Sequence, residues 1–291
     1  MSDQDDFSPA ALRALADADV ARALAEDMRG GDLTAALIAP TQRTHARVLA
    51  REAAVLCGRP WAEATVRALD PTATVTWHVA EGGHCSADQV VLELQGSARA
   101  LLSAERTLLN FLQLLSAVAT KTATYVEAVR GNRAAIVDTR KTLPGLRMAQ
   151  KYAVKTGGGV NHRIGLYDAV LIKENHIAAA GGIAQVLAAA QASAANAKFI
   201  EIEVETLAQL QNALDHGAKM VLLDNMDLPT LHQAVKINAG RAILEISGGV
   251  SLETVRALAE TGVDRISIGA LTKDVKATDF SMRFQELPCL N

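Results

Sequence analysis

Hydrophobic residues in the second half of the chain recur in short runs, and each run ends in polar or charged residues. The six runs cover residues 134–137, 169–172, 199–202, 220–223, 242–244 and 265–268. Segments with apolar residues at helical spacing lie between them, at residues 183–194, 207–214, 230–235 and 252–260. Strands that alternate with helices predict a parallel sheet, and a βα barrel is the natural way to close one.

Six strands are fewer than the eight of a regular βα barrel. We therefore expect either missed strands or an incomplete barrel, and an open doubly wound sheet is the alternative architecture. The chain has no Gly-x-Gly-x-x-Gly pattern after any of the runs. This weakens the interpretation of the sheet as a dinucleotide-binding domain.

The first half of the chain has a different pattern. Apolar residues at helical spacing predict helices over residues 9–28 and 98–130. Between these helices, β-branched runs predict strands, and Gly- and Pro-containing segments predict the turns that separate them. The strand segments are 44–56, 72–79 and 89–94, and the turn segments are 58–60, 70–71 and 82–83. The sequence Asp32-Leu33-Thr34 predicts a turn or a helix cap.

Composition narrows the classes of function. The chain has 291 residues, 49% hydrophobic and 3% aromatic, so it is long enough for a substantial core, which must be aliphatic. Its 29 Lys and Arg against 32 Asp and Glu give a net charge of -3. This balance argues against a general nucleic-acid or anionic-membrane binder.

Targeting signals and cysteine usage point to one compartment. No stretch reaches the ~18 apolar residues of a membrane span, and the acidic, polar residues 1–7 do not resemble a secretory signal. The three cysteines, Cys57, Cys85 and Cys289, are far apart in the sequence. They predict reduced thiols rather than a disulfide framework or a metal site. We expect a cytoplasmic protein with no membrane or nucleic-acid partner.

Cations follow several of the predicted strands. The carboxyl ends of parallel strands meet at one mouth, where functional groups gather. Arg140, Lys141 and Lys173 follow the first two strands, and Arg163 lies between those strands. Crowded like charges are costly unless a multiply anionic ligand is bound. Arginine suits a planar carboxylate or phosphate, and lysine supplies a point charge.

Small and acidic residues complete the predicted mouth. Ser247 precedes Gly248-Gly249 after one strand, and Gly269-Ala270 follows the next; small residues there let backbone N–H groups approach a phosphate. Glu203 and Asp224 follow adjacent predicted strands, and paired carboxylates favour Mg²⁺. The residues alone therefore predict a site for a phosphorylated or pyrophosphorylated substrate and a second anion.

Three motifs resemble a known family. Residues 138–147 read Asp-Thr-Arg-Lys-Thr-Leu-Pro-Gly-Leu-Arg, residues 157–163 read Gly-Gly-Gly-Val-Asn-His-Arg, and residues 172–177 read Ile-Lys-Glu-Asn-His-Ile. They resemble quinolinate phosphoribosyltransferase, also called nicotinate-nucleotide pyrophosphorylase. Shorter matches lie in order at residues 30–34, 105–110, 201–205, 223–225, 247–249 and 268–271. The resemblance covers nearly the whole chain.

The resemblance implies a reaction and an architecture. The reaction converts quinolinate and 5-phosphoribosyl-1-pyrophosphate to nicotinate mononucleotide, pyrophosphate and CO2 in de novo NAD biosynthesis, with Mg²⁺. The implied fold has an N-terminal α/β open-sandwich domain over residues 1–118, joined by the tail 276–291. An incomplete, seven-stranded parallel α/β barrel follows over residues 119–275. The resemblance also implies a homodimer in which Arg106 reaches the neighbouring subunit's site.

The resemblance also assigns residues to two sides of the site. The residues that match the pyridine-dicarboxylate pocket are Arg106, Arg140, His162, Arg163 and Lys173. Those on the phosphoribosyl-pyrophosphate and Mg²⁺ side are Lys141, Glu203, Asp224, Ser247, Gly248 and Gly269. Thr139, Gly249, Ile268 and Ala270 are further residues expected to bind substrate. The residues expected to act in catalysis are Lys141, Lys173, Glu203 and Asp224. Of these, Glu203 and Asp224 are expected to hold Mg²⁺, partly through substrate and water.

Three other interpretations stay open on the residues alone. Lys141 and Lys173 at strand ends are typical of a Schiff-base aldolase, which requires a desolvated lysine with a depressed pKa. A phosphoribosyltransferase for nicotinate would need fewer cations and would release no CO2. A non-enzymatic anion-binding module would bind the substrates without turnover.

Overall fold

The computed structural model describes residues 7–194 and 196–285. They form two compact units. The first comprises residues 7–121, 143–157 and 274–285, and the second comprises residues 122–142, 158–194 and 196–273. The predictions about Cys289 and about residues 286–291 of the tail lie outside the described residues.

The first unit is built on a four-stranded antiparallel sheet. Its strands are β1 (Arg43–Ala50), β3 (Thr74–Trp77), β5 (Val90–Ser97) and β12 (Phe280–Gln285), in the order β12-β1-β5-β3. Each neighbouring pair is antiparallel. Two short strands, β2 (Ala54–Val55) and β4 (His84–Cys85), form a separate antiparallel pair. The strands predicted between residues 44 and 94 are thus present, with different boundaries.

Helices complete the first unit. They are α1 (Pro9–Met28), the 3₁₀ turn Ala35–Leu37, α2 (Arg59–Leu69), α4 (Arg147–Thr156) and the first part of α3 (Ala98–Ala128). Helix α1 has the predicted bounds because Ser8 caps it and Pro9 fits its first turn. The carboxylate of Asp32 accepts the N–H groups of Thr34 and Ala35, which confirms the predicted cap.

Helix α2 occupies a segment for which the sequence predicted only a turn. Gly58 adopts φ 113°, a left-handed conformation that suits glycine, and Pro60 falls in the first helical turn. The carboxylate of Glu81 accepts the N–H groups of Gly58 and Arg59, so the free amino end of the helix is capped. The turn residues therefore begin a helix, whose buried face includes Trp61 and Val66.

The core of the first unit is aliphatic, as the composition predicts. Fully buried leucines of β5 and α3, such as Leu92, Leu94, Leu101 and Leu108, pack with Val48 of β1. Cys57 and Cys85 are buried and unpaired. No helix of the described residues combines the length and hydropathy needed to cross a bilayer.

The second unit contains the six predicted parallel strands. They are β6 (Ala135–Val137), β7 (Val170–Ile172), β8 (Ile200–Val204), β9 (Met220–Asp224), β10 (Ile243–Ser247) and β11 (Arg265–Ser267). The sheet order is β6-β11-β10-β9-β8-β7, and every pair is parallel. The helices between and after the strands are α5 (Glu174–Ala180), α6 (Ile183–Ser193), α7 (Leu207–Asp215), α8 (Leu228–Asn238), α9 (Val255–Glu260) and α10 (Ala270–Lys273).

The expected seventh strand is reduced to one residue. Val160 forms an isolated parallel bridge with Val137 of β6. Within residues 7–194 and 196–285, no strand pairing joins β7 to β6 or to Val160. The parallel sheet is therefore not closed by backbone hydrogen bonds, in agreement with an incomplete barrel.

Candidate active site

The polar residues predicted to form the mouth lie at the carboxyl ends of the strands of the second unit. Thr139, Arg140 and Lys141 follow β6, Lys173 follows β7, and Gly269 follows β11. Glu203 is near the end of β8, while Asp224 and Ser247 are the last residues of β9 and β10. Parallel pairing places these strand ends along one edge of the sheet.

A lysine and two carboxylates form the centre of this edge. The Lys173 ammonium donates to Oε2 of Glu203 at 2.9 Å. Burial raises the pKa of Asp224, Lys173 and Lys141 lower it, and Glu205 and Glu174 raise it. Burial, with smaller contributions from the two glutamates, therefore outweighs the two lysines, and the pKa of Asp224 is raised. Hard carboxylate oxygens on adjacent strands fit a divalent cation such as Mg²⁺.

Two glycines make room for this cluster. A Cβ at Gly269 would lie 3.0 Å from Cδ of Lys141 and 3.7 Å from its Nζ. A Cβ at Gly248, where φ is 97°, would lie 3.4 Å from a carboxylate oxygen of Asp224. A side chain at Gly269 would therefore crowd Lys141, whereas a side chain at Gly248 would be disfavoured by its positive φ.

Lys141 is fixed at its backbone as well. Its N–H donates to Oγ1 of Thr139 at 3.1 Å, and its carbonyl accepts the hydroxyl of Thr272 at 2.7 Å. Ile268 is buried and donates its N–H to Val137. Ala270 begins the short helix α10, and Gly249 adopts φ 60° in the turn after β10.

Arg140 and Arg163 form a pair of cations at the other side of the mouth. Burial and the neighbouring charge of Arg140 lower the pKa of Arg163, whereas Asp168 and Glu201 raise it. The Nε of Arg140 is buried and has no hydrogen-bond partner in the part of the chain that the structure describes. A like-charged pair with an unsatisfied buried donor is suited to a carboxylate-bearing ligand.

Buried aspartates hold the segment that carries Arg163. Asp138, fully buried at the end of β6, accepts the N–H of His162 and the side-chain amide of Asn161. Asp168 accepts the N–H groups of Ile164 and Gly165, each at 2.8 Å. Neither aspartate was among the residues predicted to form the site.

Beneath the mouth lies a buried charged layer, of which the resemblance indicated only His162 as a site residue. It consists of His162, Glu201, Glu245 and Arg265, of which both glutamates are 0% exposed. Burial is the largest cause of the raised pKa of both carboxyls, and the pKa of Glu201 is about 7. The positive charge of Arg265 acts in the opposite direction on each carboxyl. Glu201 is two residues before Glu203, and Glu245 is two residues before Ser247. Because side chains alternate along a strand, this spacing could have indicated the layer.

Arg106 lies in the first unit. It is exposed on α3 and lines a cleft of about 220 Å³ together with Glu26, Asp27 and Asn110. Two acidic side chains therefore line the same cleft as this arginine.

Comparison with known proteins identifies a family for most of the chain. The quinolinate phosphoribosyl transferase C-terminal domain matches residues 118–283, and the corresponding N-terminal domain matches residues 32–116. The chain is 41% identical to a probable nicotinate-nucleotide pyrophosphorylase [carboxylating] of Bacillus subtilis, over 88% of this chain and 89% of that protein. It is 42% identical to the nicotinate-nucleotide pyrophosphorylase [carboxylating] of Mycobacterium leprae, over 90% and 95% of the two chains.

Solved structures agree with these sequence matches. The nicotinate-nucleotide pyrophosphorylase of Francisella tularensis superposes with a TM-score of 0.92 at 42% identity, covering 98% of this chain and 100% of that chain. Human nicotinic acid phosphoribosyltransferase has a TM-score of 0.65 at 15% identity, covering 88% and 74% of the two chains. The first match includes the fold and much of the sequence, whereas the second shows the fold alone.

Proposed function

The chain belongs to the quinolinate phosphoribosyltransferase family, and from that premise we propose that it makes nicotinate mononucleotide from quinolinate. The phosphoribosyl donor is 5-phosphoribosyl-1-pyrophosphate, and the other products are pyrophosphate and CO2. This is the phosphoribosyl-transfer step of de novo NAD biosynthesis. The observation that carries the proposal is the partly buried pair Arg140–Arg163 beside the Lys173–Glu203 and Asp224 cluster.

Quinolinate carries two adjacent carboxylates on a pyridine ring, and the cationic side of the mouth suits it. Arg140 and Arg163 present planar guanidinium groups that bind carboxylates in a bidentate manner. Lys173 supplies a third positive charge, which Glu203 holds in place before the substrate arrives. The unsatisfied Nε of Arg140 gains an acceptor when a carboxylate binds.

The acidic side of the mouth suits the phosphoribosyl donor. Glu203 and Asp224 would hold Mg²⁺, which when bound neutralises charge on the pyrophosphate group. Lys141 stabilises the negative charge that develops on pyrophosphate as it leaves. In this proposal, Ser247, Gly248 and Gly269 bind the phosphate groups. Thr139, Gly249, Ile268 and Ala270 are further substrate-binding residues.

The reaction proceeds by positioning and electrostatics in this proposal. As the bond from C1 of the ribose to pyrophosphate breaks, positive charge develops at C1, and the carboxylate of Glu203 or Asp224 stabilises it. The quinolinate nitrogen donates its electron pair to C1 and becomes a pyridinium. The C2 carboxylate then leaves as CO2, and the positive nitrogen stabilises the electron pair left on C2. A proton from Lys173, Lys141 or water completes nicotinate mononucleotide.

Two further parts of the proposal concern the assembly and its compartment. We propose a homodimer in which Arg106 of each subunit contributes to the dicarboxylate pocket of the other. An exposed arginine on α3 is available for such a contact. The buried, unpaired Cys57 and Cys85 support a reducing compartment, which we take to be the cytoplasm.

A paired assay tests the proposed reaction. The purified protein is incubated with 5-phosphoribosyl-1-pyrophosphate and Mg²⁺, plus either quinolinate or nicotinate, and nicotinate mononucleotide and CO2 are measured. We expect equimolar product and CO2 from quinolinate and no product from nicotinate. Product from nicotinate alone would be consistent with the proposed phosphate site. It would contradict the assignment of Arg140 and Arg163 to a dicarboxylate ligand.

If folded protein forms no product from either quinolinate or nicotinate, the transferase proposal is wrong. Borohydride trapping of Lys141 or Lys173 with a carbonyl substrate would then indicate an aldolase. Binding of both substrates without turnover or trapping would indicate an anion-binding module.

A further inference from the structure

In the buried layer of His162, Glu201, Glu245 and Arg265, only His162 has an expected role, as a residue of the dicarboxylate pocket. The members of this layer come from three strands and from the segment after the Val160 bridge. The exposed fractions of their side chains are 7% for His162, 0% for each glutamate and 18% for Arg265. Removing these charged side chains from water costs free energy, so their presence in the interior requires a physical explanation.

The hydrogen bonds of His162 define which ring nitrogen carries the proton. Nδ1 lies 2.8 Å from the backbone nitrogen of Arg163 and accepts its N–H. The proton of the neutral ring is therefore on Nε2, which donates to Oε2 of Glu201 at 2.8 Å. The ring of Phe199 packs edge-on against the imidazole, with the centroids 5.2 Å apart.

These hydrogen bonds connect the buried layer to the pair of cations Arg140 and Arg163. Glu201 orients His162, and His162 holds the backbone N–H of Arg163. From that backbone the Arg163 side chain extends to a bond with the carbonyl of Ala169 at 3.3 Å and lies within electrostatic reach of Arg140. A change in the imidazole orientation therefore moves the start of the Arg163 side chain.

Glu245 is the competing acceptor for the same proton. Its Oε1 lies 3.5 Å from Nε2 of His162, and its Oε2 is bonded to Nε of Arg265 at 2.7 Å. Among residues 7–194 and 196–285, the Oε1 atoms of Glu201 and Glu245 have no hydrogen-bond partner. Arg265 therefore engages Glu245, while Glu201 forms the shorter contact with the ring. Loss of Glu201 would leave Nε2 facing Glu245 and would turn the ring away from Arg163.

We propose that Glu201 is a positioning residue for the dicarboxylate pocket, acting through His162 on the backbone of Arg163. This inference rests on the proposed function for the identity of the ligand. It predicts that Glu201 affects the binding of quinolinate and leaves the binding of 5-phosphoribosyl-1-pyrophosphate unchanged. A purely structural role would affect both substrates together.

The test compares Glu201→Leu with Glu201→Gln in the full chain. The leucine removes the acceptor, whereas the glutamine keeps an acceptor oxygen opposite Nε2. We expect Glu201→Leu to raise KM for quinolinate by about tenfold and KM for the phosphoribosyl donor by less than about twofold. We expect Glu201→Gln to stay within about threefold of the wild-type KM for quinolinate.

A matched control is Asp264→Asn. Asp264 is a half-buried carboxylate of the same unit that accepts the N–H of Leu244 and pairs with Arg133, just before β11. We expect this change to lower the unfolding temperature and to leave both KM values unchanged. Equal changes in the two KM values of Glu201→Leu, no change in either, or a glutamine variant as impaired as the leucine variant would overturn the proposal.

An independent measurement covers the case in which Glu201→Leu does not fold. The ¹⁵N spectrum of the His162 imidazole in the wild-type protein reports which nitrogen is protonated. A protonated Nε2 and an unprotonated Nδ1 are expected, and a proton on Nδ1 would overturn the inference. If the wild-type protein makes no product from quinolinate, the proposed function fails, and this spectrum still decides the hydrogen-bond arrangement.

Discussion

Lys141 illustrates how each charged side chain of the mouth depends on its neighbours. Its backbone is bonded to the hydroxyls of Thr139 and Thr272, and its side chain passes close to Gly269. The lysine is therefore placed by three surrounding residues before any substrate binds. Such preorganisation is what electrostatic catalysis requires.

Lys141→Ala should remove the charge that stabilises the leaving pyrophosphate. We expect kcat/KM for nicotinate mononucleotide formation to fall by about a hundredfold or more, with little change in unfolding temperature. The matched control is Lys219→Ala, because Lys219 is an exposed lysine that precedes β9 at the opposite end of the sheet. An unchanged kcat/KM for Lys141→Ala would show that the assignment is wrong.

The sequence indicated the charges of the mouth better than those buried beneath it. Lys173 and Glu203 follow apolar runs, and their position after a strand predicted their place at the mouth. Glu201 lies within an apolar run, and Asp138 and Glu245 directly follow runs, as Lys173 and Glu203 do. Position after a run therefore did not distinguish the buried charges from those of the mouth. The partners of the buried charges come from segments far away in sequence, so only the folded chain shows that they meet.

Asp70 follows α2 in the first unit, and its side chain connects the end of this helix to the end of β5. Its carboxylate accepts the N–H of Ser97 at 2.8 Å and both the N–H and the hydroxyl of Thr72. The bond from Ser97 and those from Thr72 lower the pKa of Asp70. A lowered pKa means that the folded state favours the ionised carboxylate more than the unfolded chain does.

This shift predicts a pH dependence for Asp70→Asn. Stability from the ionised carboxylate is present above its unfolded pKa of about 4 and is lost as pH falls through the lower folded value. We expect the variant to have a smaller free energy of unfolding than wild type at pH 7, and the difference to shrink as pH falls from about 4 towards 3. Urea unfolding at several pH values measures this difference. A difference that stays constant between pH 7 and pH 3 would contradict the prediction.

Helix α7 begins directly after the strand that carries Glu203. Thr206 accepts the N–H of Gln209 at 3.1 Å, and the side chain of Gln209 accepts the N–H of Thr206 at 3.1 Å, which forms a capping box. Thr206→Ala should lower the free energy of unfolding by about 1 kcal/mol. Thr206→Ser, which keeps the hydroxyl, should be close to wild type in the same urea titration. Equal stability of the alanine and serine variants would show that the cap contributes nothing.

Periodicity predicted the long elements and missed the short ones. Helices α1 and α3 and the six parallel strands follow from clear apolar patterns. Helix α5 spans seven residues, and its start is set by a bond from the N–H of Lys173 to Nδ1 of His176 rather than by an apolar stripe. Helix α2 was missed because Gly58 and Pro60 also suit a turn, and the capping carboxylate of Glu81 is distant in sequence.

On the scale of the whole molecule, the proposed exchange of Arg106 between subunits has a direct test. We expect the Arg106→Ala variant and the Lys141→Ala variant each to be nearly inactive. The experiment co-expresses these two variant chains. In a mixed dimer, one site receives an intact Lys141 from its own chain and an intact Arg106 from the partner chain. We expect about a quarter of wild-type activity from a random equal mixture of the two chains. If activity does not recover in isolated mixed dimers, Arg106 does not act across the interface.

The position of β12 in the first sheet has a consequence for synthesis of the protein. The inner strand β1 pairs with β5 on one side and with β12 on the other. Residues 280–285 leave the ribosome after every strand of the parallel sheet, although their partner is among the first strands made. The parallel sheet can therefore be complete while the antiparallel sheet still exposes an edge of β1. During translation that open edge is a place where chaperones or neighbouring nascent chains can pair, until the final strand covers it.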